Sequence, residues 1–138
     1  MFYAIIDSAS LKDPTILNDL SQLEVKVQYE PHSTTNKYHY NFLLQFKDKE
    51  IMTVITKTQQ NMLSGWYSFF WSKSILYIVF DSKRFKIDLP NGWSSDQYKA
   101  AQKFGRSQNI PDIYLNFKTY LQPYKDMVNF KRSKNIIT

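Results

Sequence analysis

Residues 65 to 80 read GWYSFFWSKSILYIVF, placing seven aromatic side chains in sixteen positions. Read with a period of two, Trp66, Ser68 and Phe70 share one face, and Tyr67, Phe69 and Trp71 share the other. After Ser72 to Ser74, Ile75, Tyr77 and Val79 oppose Leu76, Ile78 and Phe80. Both strands are apolar on both sides, the mark of central strands covered twice. The stretch therefore predicts a hairpin at the heart of a sheet. Because Trp and Tyr are also common interface anchors, it marks Trp66, Tyr67, Phe69 and Trp71 as candidates for contact with a partner, should some of these rings remain uncovered.

Outward from this hairpin the same period recurs. On the C-terminal side, ILYIVF, the turn DSKR and FKIDL form a second hairpin. On the N-terminal side, Leu23, Val25, Val27 and Tyr29 alternate with polar residues in LEVKVQYE, and Tyr38 to Phe46 repeat the pattern. The β-branched run IMTVITKT (51 to 58) follows the charged KDKE and reads as the return strand of a further hairpin. Phe2 to Ile6 gives a first strand. Leu11 to Leu20 reads as a short helix, with Ser10 and Asp13 at capping-box spacing and Pro14 in the first turn.

After Leu89 the period changes. Pro90, Asn91 and Gly92 are turn residues, Ser94 with Gln97 can cap a helix, and Trp93 with Tyr98 has hydrophobic-staple spacing. Gly105 is expected near the end of that helix, and Pro111 opens another. Ile113, Phe117, Tyr120, Leu121, Tyr124 and Val128 make its apolar stripe, interrupted by Pro123, which predicts a kink or two short helices. The last residues, KRSKNIIT, read as frayed. Strands followed by helices predict an α+β fold: an antiparallel sheet of about five or six strands with one N-terminal helix and two or three C-terminal helices packed on it. At 138 residues, with no linker or repeat, a single compact domain spanning 1 to 138 is expected.

Composition narrows the chemistry. There is no cysteine, hence no disulfide framework, thiolate metal site or cysteine nucleophile. No phosphate loop, dinucleotide fingerprint, nucleophile elbow or HExxH motif occurs, and no cofactor is implied. His32 and His39 are seven apart with no acid between them, a spacing foreign to metal sites. Asp48, Lys49 and Glu50, and Asp81 with Lys83, resemble the acid-and-lysine pairs of metal-dependent nucleases but sit in expected turns. That leaves a nuclease as a third reading. The N-terminal residues do not read as a signal peptide, and no apolar run reaches the roughly 20 residues of a membrane span. A cytoplasmic protein without membrane contact is expected.

The net charge of +6 is unevenly distributed: residues 1 to 96 carry ten basic and ten acidic residues, whereas 97 to 138 carry eight basic and two acidic. Lys99, Lys103 and Arg106 fall on one helical face, and Lys118, Lys125 and Arg132 recur every seven positions. Such a ridge is the footprint of a phosphate-backbone binder. The leading expectation is thus a small non-enzymatic protein engaging nucleic acid, DNA or RNA, or an acidic or nucleoprotein partner through these six residues. The alternative is a protein-interaction module, an inhibitor or adaptor of the kind phages and mobile elements encode, working through an exposed aromatic surface; a homodimer is compatible with either reading.

Overall fold

A computed structural model describes residues 1–31 and 37–134. Its strands are β1 (Phe2–Asp7), β2 (Ser21–Tyr29), β3 (Tyr38–Phe46), β4 (Tyr67–Trp71), β5 (Ile75–Phe80) and β6 (Arg84–Asp88). They join one antiparallel sheet in the order β2-β3-β1-β4-β5-β6. The α-helices are α1 (Ile51–Gln60), α2 (Asp96–Ser107) and α3 (Phe117–Ser133). The fold is α+β with a six-stranded antiparallel sheet.

The two-faced hairpin is present at the expected positions. β4 pairs with β5 from Tyr67 opposite Phe80 to Trp71 opposite Leu76, and Ser72 N–H donates to the Ile75 carbonyl to close the turn. Its two faces feed two separate cores. Phe69, Trp71, Leu76, Ile78 and Phe80 pack under α2 and α3, against Tyr98, Ala101, Phe117, Leu121, Tyr124 and Val128. Phe70 and Val79 face the other way, into a core closed by Val54 and Ile55 of α1 and by Leu11, Leu17 and Met62.

That second layer is where sequence and structure part. The run 51 to 58 is not a return strand but helix α1. Its buried residues, Val54, Ile55 and Thr58, follow the helical repeat rather than alternation, and the Thr58 hydroxyl donates to the Val54 carbonyl at 2.8 Å. Such back-bonding satisfies a buried β-branched polar residue within a helix. With no strand at 51 to 58, β3 takes β1 as its partner, from Phe2 opposite Phe46 to Asp7 opposite Asn41. β1 also pairs with β4, so it lies inside the sheet.

The helix expected at Leu11 to Leu20 is instead two 3-10 turns, Ser8–Ser10 and Pro14–Asp19. Asp13, not Ser10, caps the second, accepting the Thr15 N–H at 3.0 Å. Ser10 is buried and donates its hydroxyl to the Asp7 carbonyl. In the C-terminal part, Ser95 rather than Ser94 caps α2, accepting the Tyr98 N–H. Gly105 lies within α2, at a close approach: a Cβ there would lie 2.4 Å from Leu115 Cδ2. α2 ends in a Schellman motif, with Asn109 N–H on the Arg106 carbonyl, Ile110 N–H on the Gly105 carbonyl, and Asn109 at φ 63°.

Pro111 leads only into a 3-10 turn at Asp112–Leu115, so Ile113 falls off the buried stripe and is exposed. α3 begins at Phe117 and runs through Pro123 as one helix. The carbonyl that Pro123 leaves without a donor belongs to Thr119, which is exposed to water. α3 continues to Ser133, and 135–138 lie outside the described residues.

Since Phe70 is fully buried between Phe46 and the α1 layer, Phe70→Ala should cost about 3 to 5 kcal/mol, read from the urea midpoint. Val27→Thr, on an exposed position, should stay within about 0.5 kcal/mol of the parent.

Candidate functional site

Of the four aromatic residues singled out for partner contact, Phe69 and Trp71 are each 3 % exposed and belong to the helix-side core. They present no surface to a partner, which corrects that expectation: α2 and α3 cover this face. Tyr67 and Trp66 are half-buried and line a cleft described below. The exposed apolar surface lies elsewhere. A bulge between Gln22 and Glu24 shifts the register of β2. Beyond it Val27, Tyr29, Tyr38 and Tyr40 stand on the α1 side of the sheet, 47 to 58 % exposed, with the Tyr29 and Tyr38 rings 5.2 Å apart.

The polar side of β2 is the one that meets α3. Glu24 pairs with Lys131 at 2.8 Å, and the Lys26 ammonium lies 5.5 Å from the centroid of the Tyr124 ring.

The six basic positions fall on α2 and α3, all at the surface except Lys125, which is half-buried. Continuity of α3 through Pro123 keeps Lys118 and Lys125 on one stripe, and both ammonium groups lie 5.9 Å from the centroid of the Trp93 ring. Trp93 itself is fixed edge-on against Tyr98, whose hydroxyl accepts the Lys118 N–H. A second ring on the same helical layer, Phe104, carries the Lys83 ammonium at 5.5 Å. Among the described residues only Arg106 of the six has a carboxylate partner, Asp112 at 2.6 Å. Cation–π contact orients a lysine without neutralising it, so Lys118 and Lys125 hold their charges in defined places.

The cleft opens between the turn that follows α2, at Asn109 to Pro111, and one end of the sheet. It has a volume of about 550 Å³, and its floor is formed by Asp7, Gln28, Glu30, His39 and Asn41 at one end of β1, β2 and β3. Its walls carry Trp66, Tyr67, Tyr114, Tyr120 and Tyr124. Asp7 Oδ2 meets His39 Nδ1 at 2.5 Å, while Asp7 Oδ1 accepts the Ala9 N–H. The Tyr67 hydroxyl donates to the Tyr114 carbonyl, pinning one wall to the sheet.

Burial pushes the Tyr67 phenol well above its usual range, with neighbouring tyrosines adding to the effect. Tyr124 is pushed up to about 12, first by burial and then by the Asp7 charge. Tyr120 is raised by burial, then by Tyr114 and Glu30.

The sequence marks His39 only as half of a pair with His32, which lies outside the described residues. It places Tyr120 and Tyr124 on an apolar stripe and carries no signal for Asp7, Glu30 or Tyr114. Their convergence depends on β3 pairing with β1, which the misread strand at 51 to 58 concealed.

The nuclease reading finds no assembled acid cluster. Asp48 pairs with the N-terminal ammonium, and Asp81 sits in the turn between β5 and β6. Among the described residues no three His, Asp or Glu side chains come together as a metal site. None of their helices is long and apolar enough to cross a membrane. Comparison with known proteins returns no matching family model, curated protein or solved structure.

A raised phenol value ties stability to alkaline pH. Tyr124 holds its proton more tightly folded than unfolded, so its contribution is intact below the ordinary value of 10 and declines as pH rises from about 10 through about 12. Tyr124→Phe should therefore show a shallower loss of stability over that window in denaturant melts.

Proposed function

We propose that the chain is a non-enzymatic binding protein whose α2–α3 surface engages the phosphate backbone of a nucleic acid. The observation that carries this reading is the convergence of Lys118 and Lys125 on Trp93, with no carboxylate in reach among the described residues. Lys99, Lys103 and Arg132 add exposed charge, and Arg106 can exchange Asp112 for a phosphate. Such contacts supply affinity and register but no base sequence, so the expected binding is tolerant of sequence and driven by counterion release.

The test is fluorescence anisotropy with a labelled oligonucleotide across a salt series. The parent should lose affinity linearly in log–log form, and Lys118→Gln with Lys125→Gln should weaken binding and reduce the slope by about 1 for each lysine. Absence of binding at low salt, or a slope unchanged by neutralising all six residues, overturns the reading.

A second reading, a protein-interaction module, is favoured by the exposed β2–β3 surface rather than by Trp66 to Trp71. Contiguous exposed apolar side chains of this kind mark contact sites. The two readings separate on what co-purifies at low salt: nucleic acid released by added salt supports the first, a stoichiometric polypeptide lost on Val27→Asp with Tyr40→Asp supports the second.

A further inference from the structure

We propose that the cleft at the end of the sheet is a binding site for a small organic cation, an amine or methylated ammonium group, held between tyrosine rings and the Glu30 carboxylate. None of the six basic residues lines this cleft, so the inference stands apart from the polyanion reading.

Charge is the first argument. The chain carries a net +6, yet the charged lining of the cleft consists of Asp7 and Glu30, with no Lys or Arg among the described lining residues. The two carboxylates are not equivalent. Asp7 is engaged through both oxygens, by His39 and by the Ala9 N–H. Among the described residues the Glu30 carboxylate accepts only the Gln28 amide, at 3.2 Å, and pairs with no cation. Glu30 is thus the anion with capacity for a ligand.

The walls supply the second argument. A cation is attracted to the face of an aromatic ring, and tyrosine cages select alkylated ammonium groups because those groups lose little hydration on entry. The Tyr114 and Tyr120 rings stand 6.1 Å apart at 43°, an angled pair. The hydrogen bond from Tyr67 to the Tyr114 carbonyl fixes the wall before any ligand arrives. Burial raises the Tyr67, Tyr120 and Tyr124 phenols, with Glu30 adding to the effect at Tyr120 and Asp7 at Tyr124, so these rings remain neutral aromatic surfaces at ordinary pH. Lys26, which does not line the cleft, holds its ammonium 5.5 Å from the centroid of the Tyr124 ring, so Tyr114 and Tyr120 are the pair for an external cation. The volume of about 550 Å³ falls within the range of small-ligand sites, roughly 300 to 1,000 Å³.

The experiment is a chemical-shift titration of the full chain with choline and, separately, with its neutral isostere 3,3-dimethyl-1-butanol. Choline should bind, shifting resonances of Glu30, Tyr114 and Tyr120, and the isostere should bind about tenfold more weakly or not at all. Glu30→Gln and Tyr120→Ala should each weaken choline binding by about tenfold, and Tyr120→Phe, which keeps the ring and guards against a folding artefact, should retain it. Equal binding of the two probes would mean an apolar opening without charge selection. That outcome, the absence of binding by choline, or indifference to Glu30→Gln overturns the proposal.

Discussion

Everything in this fold follows from three adjacent strands, β1, β4 and β5, that are apolar on both faces. A sheet buried on one side needs a single covering layer; Phe70 and Val79 on one side and Phe69, Ile78 and Phe80 on the other require two. The chain supplies them from different places. The segments before β2 and between β3 and β4 close one side, and α2, the 3-10 turn at Asp112–Leu115 and α3 close the other. Each layer is tied to the sheet by specific contacts: Lys131 on Glu24 and Tyr67 on the Tyr114 carbonyl on the α2–α3 side, and the Gln59 amide of α1 on the Phe80 carbonyl on the other, while Tyr98 joins α2 to α3.

Where a layer ends, the sheet is left partly uncovered, and the two candidate surfaces arise there. On the α1 side the cover stops before the outer part of β2 and β3, leaving Val27, Tyr29, Tyr38 and Tyr40 in water. On the other side the Schellman turn after α2 carries Asn109 and Ile110 over the end of the sheet without filling the space beneath, and the cleft results. Both features are consequences of finite helices covering a wider sheet. Their side chains decide what each can do.

The parts legible in the sequence were those governed by local period and turn chemistry. The β4–β5 and β5–β6 hairpins could be read because alternation, short turns and β-branched or aromatic residues agreed. α1 could not, because Ile51, Val54, Ile55 and Thr58 combine β-branched composition with helical spacing, and composition outweighed period in the reading. That one misreading displaced β1 from the middle of the sheet and separated Asp7 from His39 and Glu30 from the tyrosines of α3. The basic ridge was legible as spacing, but not its convergence on Trp93, which depends on α3 continuing through a proline that sequence alone reads as a kink or a division into two short helices.

Charge sorting links the two proposed sites. A lysine at the surface keeps its hydration and costs little, so seven basic residues can gather on α2 and α3 while their mutual repulsion is screened beyond a Debye length of about 8 Å at physiological salt. A carboxylate beside partly buried phenols is less well screened; burial is the main cause of the raised Tyr120 and Tyr124 values, and the charges of Glu30 and Asp7 add to it. The same field that discourages a phenol from ionising favours any cation entering the cleft. The two proposed sites thus differ in the charge they offer, basic residues on the outer helical face and carboxylates in the cleft. An anionic polymer on the first would not compete with a small cation in the second, because no basic residue is shared between them.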